Sequence, residues 1–231
     1  MGKTDNGIVA VTSLWADARV YYPLHVEPYT PARRLPRGLA DPAFRTKPQL
    51  AVQLVAAAGA AGVPFRAVVA DCFYGDSPAF EAGLWAAGLP FVLALKPKKG
   101  HWAPVDDAHT PVEAARAVPW DGPRRPGGWT RIVRRFRDGH AATWWAADAR
   151  LAGYGPDRRT RLVVATTDPA TLPARSTWYL VTNLPRPGAP RAAASPFAAA
   201  ALAEVVRLYG LRMWVEQGYN CLLYTSPSPR D

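Results

Sequence analysis

Two acidic residues occupy positions where a carboxylate can do chemistry. Asp71 follows the run at residues 65–70, whose apolar, β-branched content fits a parallel strand covered on both faces. A carboxylate at the C-terminal end of such a strand stands where open α/β sheets keep their reactive groups. A turn or helix-capping aspartate would leave the same signature. Glu216 belongs to a helical pattern over 198–219, on the stripe made by Leu202, Val205, Val206, Tyr209 and Met213, so the period points it toward the packed interior. A glutamate there needs a partner. Arg212, one turn earlier, offers an ion pair; alternatively Glu216 faces Asp71 across the sheet edge and shares a divalent metal ion with it.

The elements that position these acids can be read around them. After Asp71 the chain turns through Tyr74, Gly75 and Asp76, and Ser77 with Pro78 supplies an N-cap and a first helical residue. Residues 91–95 form the returning strand. Upstream, 8–14 and 21–26 read as antiparallel strands, and a Pro- and Arg-rich loop at 28–48 leads to a helix around 49–60. With the strands near Val68 and Val92 these are expected to make the core. From Gly100 to about Arg175 the pattern changes to Trp-rich segments interrupted by Gly and Pro, at 130–137, 141–147 and 161–166. This stretch is expected to be an inserted β-rich subdomain, with the chain returning to the core at Trp178. The fold class is α/β, divided as core (1–99), insertion (100–175) and returning core (176–220).

The chain has 231 residues with 49% hydrophobic content, enough for one domain with a real core plus an insertion. Twenty-eight Lys and Arg against eighteen Asp and Glu give a net charge of +10, a balance that suits a polyanionic partner and also follows from Arg-rich composition in GC-rich coding. Of the two cysteines, Cys72 reads as a small residue next to Asp71 and Cys221 lies in the tail, so no disulfide framework is expected and the setting is a reducing cytoplasm. No secretory segment or long apolar span is visible. Lys96, Lys98 and Lys99 follow the returning strand on the edge where Asp71 lies, placing positive charge where a phosphate would approach; a solvated loop is the plain alternative. Arg131, Arg134 and Arg135, with Arg137, lie near Trp144 and Trp145, a mixture suited to backbone contact and base stacking or to a charged face over a Trp core. Gly2-Lys3-Thr4 lacks the upstream glycine of a phosphate-binding loop, the histidines lack metal-ligand spacing, and no Gly-x-Ser-x-Gly elbow occurs. Gly210 inside the last helix has no evident reason.

The segment "VVADCFYGDSPAFEAGLWAAGLPFVLALKP" and the helix "YGLRMWVEQGY" together resemble DDE transposases of bacterial insertion sequences. One group of these carries Tyr, two residues, Arg, three residues, Glu, six residues, Lys. Tyr209, Arg212 and Glu216 match, while the Lys position falls on Leu223. The opening "GKTDNGIVAVTSLWADARVYYPLHVE" resembles the strand pair after the first catalytic Asp. The resemblance implies a ribonuclease H-like mixed sheet and three carboxylates that bind Mg2+, with Mn2+ as a substitute. Asp71 and Glu216 would be two of the three, acting in strand cleavage at transposon ends and transfer to target DNA. It further implies that Tyr209 and Arg212 contact the DNA backbone or orient Glu216, with Lys96, Lys98, Lys99, Arg131, Arg134 and Arg135 as the basic residues whose charge and placement suit DNA contact, and a homodimer in a synaptic complex of a nucleoid-associated protein in the bacterial cytoplasm. The first Asp is expected upstream of Gly2, so the chain as written is expected to be inactive; a non-catalytic DNA-binding or regulatory relic is the alternative. Residues 221–231 resemble a sequencing-library adaptor translated in frame and are expected to be disordered.

Overall fold

The computed structural model describes residues 8–105, 107–136 and 139–216. Along the chain run β1 (Ala10–Ala16), β2 (Tyr21–Pro28), α1 (Lys47–Ala60), β3 (Val68–Ala70), α2 (Cys72–Gly75), α3 (Pro78–Ala86), β4 (Phe91–Ala94), α4 (Pro111–Arg116), β5 (Thr130–Arg135), β6 (Ala141–Ala149), β7 (Arg161–Thr166), β8 (Thr177–Thr182) and α5 (Leu202–Gly210), with 3-10 turns at Ala32–Arg34 and Gly38–Ala40. They fall into two compact units, one from residues 1–65 and 77–89, the other from 66–76 and 90–231. No helix among the described residues is long and apolar enough to cross a membrane.

In the first unit, β1 and β2 pair antiparallel with an irregularity between Ser13 and Leu14. The Trp15 indole donates to the Pro64 carbonyl at 2.7 Å. α1 starts at a capping box in which the Thr46 side chain accepts from the Gln49 amide and the Gln49 side chain accepts from the Thr46 amide, satisfying donors that a helix start otherwise leaves open. α3 starts as its sequence says, with Ser77 Oγ accepting from Phe80 N and Pro78 in the first turn.

The second unit holds the main sheet, in the order β3-β4-β8-β7-β6-β5. β3 and β4 are parallel, and the remaining pairs are antiparallel. Phe91, Val92, Leu93, Leu162, Val163, Val164, Leu180 and Val181 are fully buried, the double-sided burial expected of central strands with near-continuous apolar sequence. Two side chains at the end of β8 lock its register on β4. Thr182 Oγ1 donates to the Phe91 carbonyl at 2.6 Å, and Asn183 Oδ1 accepts from Phe91 N at 2.8 Å. α5 lies on the sheet: Val206 packs with Ile132, Trp144, Ala146 and Ala165, flanked by Trp178 and Leu202. Arg66 ties the entry of β3 to the start of α5, its Nε donating to Glu204 at 2.7 Å and its Nη2 to the carbonyls of Ala198 and Ala199. Arg161, 1% exposed, sits 2.9 Å from Asp148 Oδ1 through both Nε and Nη2 and donates through Nη1 to the carbonyls of Leu184 and Ala200.

Three expectations are revised. Among the described residues β1 and β2 pair with each other alone and do not join the sheet of β3 and β4. The strands drawn from the expected insertion are hydrogen-bonded into that same sheet, because β8 bridges β4 and β7. The final helix does not run unbroken from 198. α5 ends at Gly210, Leu211 and Arg212 form a turn, and a short helical turn resumes over 213–216. Arg137, residues 217–219, Leu223 and the tail 221–231 lie outside the described residues.

Candidate functional site

Asp71 stands immediately after β3, half-buried, and is also the N-cap of α2: its Oδ1 accepts from Phe73 N at 3.0 Å. The strand-end position and the capping role thus coexist in one geometry. Asp71 Oδ2 has no hydrogen-bond donor among the described residues. The short helix is pressed onto the sheet at Gly75, where a Cβ would lie 1.9 Å from the Ala94 carbonyl oxygen. Only glycine allows that approach, and it fixes where the strand end and its carboxylate sit.

The other acid arrives differently from expectation. The Glu216 side chain is 63% exposed, and Met213 is exposed as well. Past Gly210 the backbone closes i→i+3 bonds, Arg212 N to Tyr209 O, Trp214 N to Leu211 O and Val215 N to Arg212 O. Such tightening advances each residue by about 120° instead of about 100°, and the apolar stripe is taken over by Trp214, which is buried. Glu216 instead accepts from Arg212 Nη2 at 2.6 Å, the ion-pair alternative of the sequence.

Arg212 joins the two acids electrostatically. Its partial burial opposes the charge, but the hydrogen bond to Glu216 and the charges of Tyr209, Glu216 and Asp71 hold its pKa above the ordinary value. Tyr209, buried on α5, has its hydroxyl pushed up chiefly by that burial; the charge of Arg212 opposes the shift, and Asp71 and Cys72 add to it. Arg212 thus pairs with Glu216 and lies within electrostatic reach of Asp71. Carboxylate oxygens are the hard donors that Mg2+ takes, and Asp71 Oδ2 is open to such an ion, whereas Glu216 would have to share itself with Arg212. Among the described residues no group of three or more His, Cys, Asp or Glu side chains converges, so the acids here would fill only part of a coordination shell.

The basic residues separate into tethered, exposed and enclosed. Lys96 N donates to Asp76 Oδ1 at 3.2 Å, Lys96 Nζ lies 3.4 Å from Asp76 Oδ2, and Lys99 Nζ donates to the Asp76 carbonyl. Asp76 closes α2, so the lysine loop is fastened to the segment that begins with Asp71. Asp76, Lys96, Pro97, Lys98, Lys99 and Gly100 line an open groove of about 630 Å³. Arg131 and Arg135 lie on the exposed face of β5, with Arg131 Nη2 donating to Thr143 Oγ1. Arg134, expected beside them as a DNA contact, turns to the other face. Its guanidinium lies 4.4 Å from the Trp144 ring centroid, 4.3 Å from Trp178 and 4.8 Å from Phe136, with Trp178 edge-on to Tyr209 at 4.9 Å. Burial pushes its pKa down to about 10, so it remains charged at neutral pH. Alternation along β5 could have placed it inward with Ile132. It also supplies the reason for Gly210, since a Cβ there would come 3.1 Å from Arg134 Nη2.

Comparison with known proteins adds two findings. Residues 1–153 match the family described as DDE superfamily endonuclease. Over 219 residues the chain is 31% identical to a probable transposase for insertion sequence element IS701 of Microchaete diplosiphon, an alignment covering 94% of this chain and 49% of that protein. The chain thus spans about half the length of this curated relative.

Proposed function

The chain belongs to the DDE superfamily endonucleases, and from that premise we propose that it serves DNA transposition, by metal-dependent phosphodiester hydrolysis and strand transfer at transposon ends. The supporting observation is that Asp71 stands at the end of β3 and that Arg212, paired with Glu216, lies within electrostatic reach of it. In this reading Asp71 and Glu216 would hold the divalent ion, Mg2+ or Mn2+. When bound, it supplies a lowered pKa for a water or 3′-hydroxyl nucleophile and charge stabilisation for the leaving oxygen. Arg212 holds Glu216 in place and, with Tyr209, contacts the DNA backbone. Lys96, Lys98 and Lys99 position phosphates beside Asp71, and Arg131 and Arg135 extend the basic surface. Two copies would act together in a synaptic complex in the bacterial cytoplasm.

A third acid is required for two ions to be fixed, and, because the chain spans about half the length of its relative, we infer that a longer form supplies it and that this chain alone does not transfer strands. The engagement of Glu216 by Arg212 favours a second reading, a fragment that binds DNA without cutting it. A strand-transfer assay with Mg2+ and transposon-end DNA, run on this chain and on a form extended upstream, separates the two. Activity in the extended form that is lost in Asp71→Asn and Glu216→Gln is the expected result. An extended form that folds and binds ends without cutting would overturn the catalytic assignment.

A further inference from the structure

We propose that Trp102 is a stacking platform for an unpaired nucleobase of single-stranded DNA, with Lys98 and the groove beside it receiving the adjoining phosphates; this rests on the DNA reading above. The loop after β4 is fastened at several points. Asp76 holds Lys96 and Lys99, and Lys99 N closes a turn on Lys96 O. On the returning side Val112 N donates to Pro97 O and His101 N to His109 O. The His101 ring packs edge-on against Tyr154 at 5.7 Å. Trp102 follows this anchored residue directly, yet it is 90% exposed.

A single exposed apolar residue is ordinary on a protein surface. Here the stem beneath the indole is tied by backbone hydrogen bonds, so the ring is presented by a held backbone, and little ordering entropy remains to be lost when a flat ligand stacks on it. Charge selects the ligand. Lys96, Lys98 and Lys99 lie within six residues of Trp102, and the one carboxylate lining the groove, Asp76, is already engaged by Lys96. Lys98 has no ion-pair partner among the described residues. An anionic chain bearing flat rings satisfies both features, and the rings must be unpaired because stacked, paired bases offer no free face. Lys98 and Trp102 are four residues apart, at most about 14 Å along the chain, so one short stretch of strand can engage both.

The test uses the whole chain and fluorescence anisotropy with a labelled mixed-sequence oligonucleotide, single-stranded and as its duplex. Trp102→Ala is expected to weaken single-strand binding by roughly 5- to 150-fold, the range for loss of one base–aromatic stack. Duplex affinity and melting temperature should be unchanged. Trp102→Phe should recover most of the loss, and Lys98→Ala should lower the salt dependence of single-strand binding by about 0.7 in slope. Equal loss on both DNA forms, or none on either, overturns the proposal while leaving the DNA reading standing. A wild-type chain that binds neither form removes that reading, and the proposal with it. Loss of a concentration-dependent dimer in Trp102→Ala, with DNA binding intact, would make the surface an interface between copies and likewise overturn it.

Discussion

Asp71 carries two duties on one carboxylate, and chemistry can separate them. The oxygen facing Phe73 N caps α2, a role asparagine performs as well as aspartate. The other oxygen and the negative charge are what a metal ion would need. Asp71→Asn is therefore expected to unfold within about 0.5 kcal/mol of the wild type, while Asp71→Ala costs about 1 kcal/mol through the lost cap. Divalent-ion binding, followed by Mn2+ titration calorimetry, should fall equally in both. Ion affinity retained in Asp71→Asn would remove this residue from the metal site. Its position was legible because a short buried strand, an acid and a Ser-Pro helix start are all local signals. The exposure of Glu216 was not, because a helix-period argument assumes an unbroken helix, and a small change of phase after Gly210 exchanges Trp214 for Glu216 on the inner face.

Why α5 stops where it does is a question about elements. Glycine inside a helix costs about 0.5–1 kcal/mol relative to alanine, and Gly210, the last residue of α5, lacks the positive φ that makes glycine favourable at a helix end. Its neighbour Arg134 comes from β5, distant in sequence and clamped by Trp144 and Trp178, so no local pattern could have announced the contact. A double-mutant cycle tests the coupling. Gly210→Ala should be neutral or destabilising in the wild type, where the new methyl meets the guanidinium, and should stabilise by about 0.5–1 kcal/mol in an Arg134→Ala background. Additive free energies from urea unfolding would show that the two residues do not sense each other. The strand pairings around β8 were hidden for the same reason: alternation and apolar runs reveal strands, whereas their order is decided by partners far along the chain.

At the scale of the molecule, the fully buried charge among the described residues is Arg161. Its compensation comes from Asp148 on β6 and from the carbonyls of Leu184 and Ala200, beyond β8 and just before α5. Removing one member of a buried pair leaves an uncompensated charge, so Asp148→Ala and Arg161→Met are each expected to cost about 3–5 kcal/mol, whereas replacing both with apolar residues of similar volume should be near neutral. Calorimetric melting of the two single variants and the double variant checks the contrast, and a double variant that loses as much as either single one would refute it. There is also a consequence in time. The two carbonyls reach the guanidinium only when β8 has docked and the segment between it and α5 has wrapped around, long-range closures that carry their entropy cost in full before any contact forms. In chevron kinetics Asp148→Ala should therefore leave the refolding rate almost untouched and act on the unfolding rate. Arg161 would then work as a latch, set last on the way in and opened first on the way out, and the lifetime of the native state would hang on it more than the speed of reaching it.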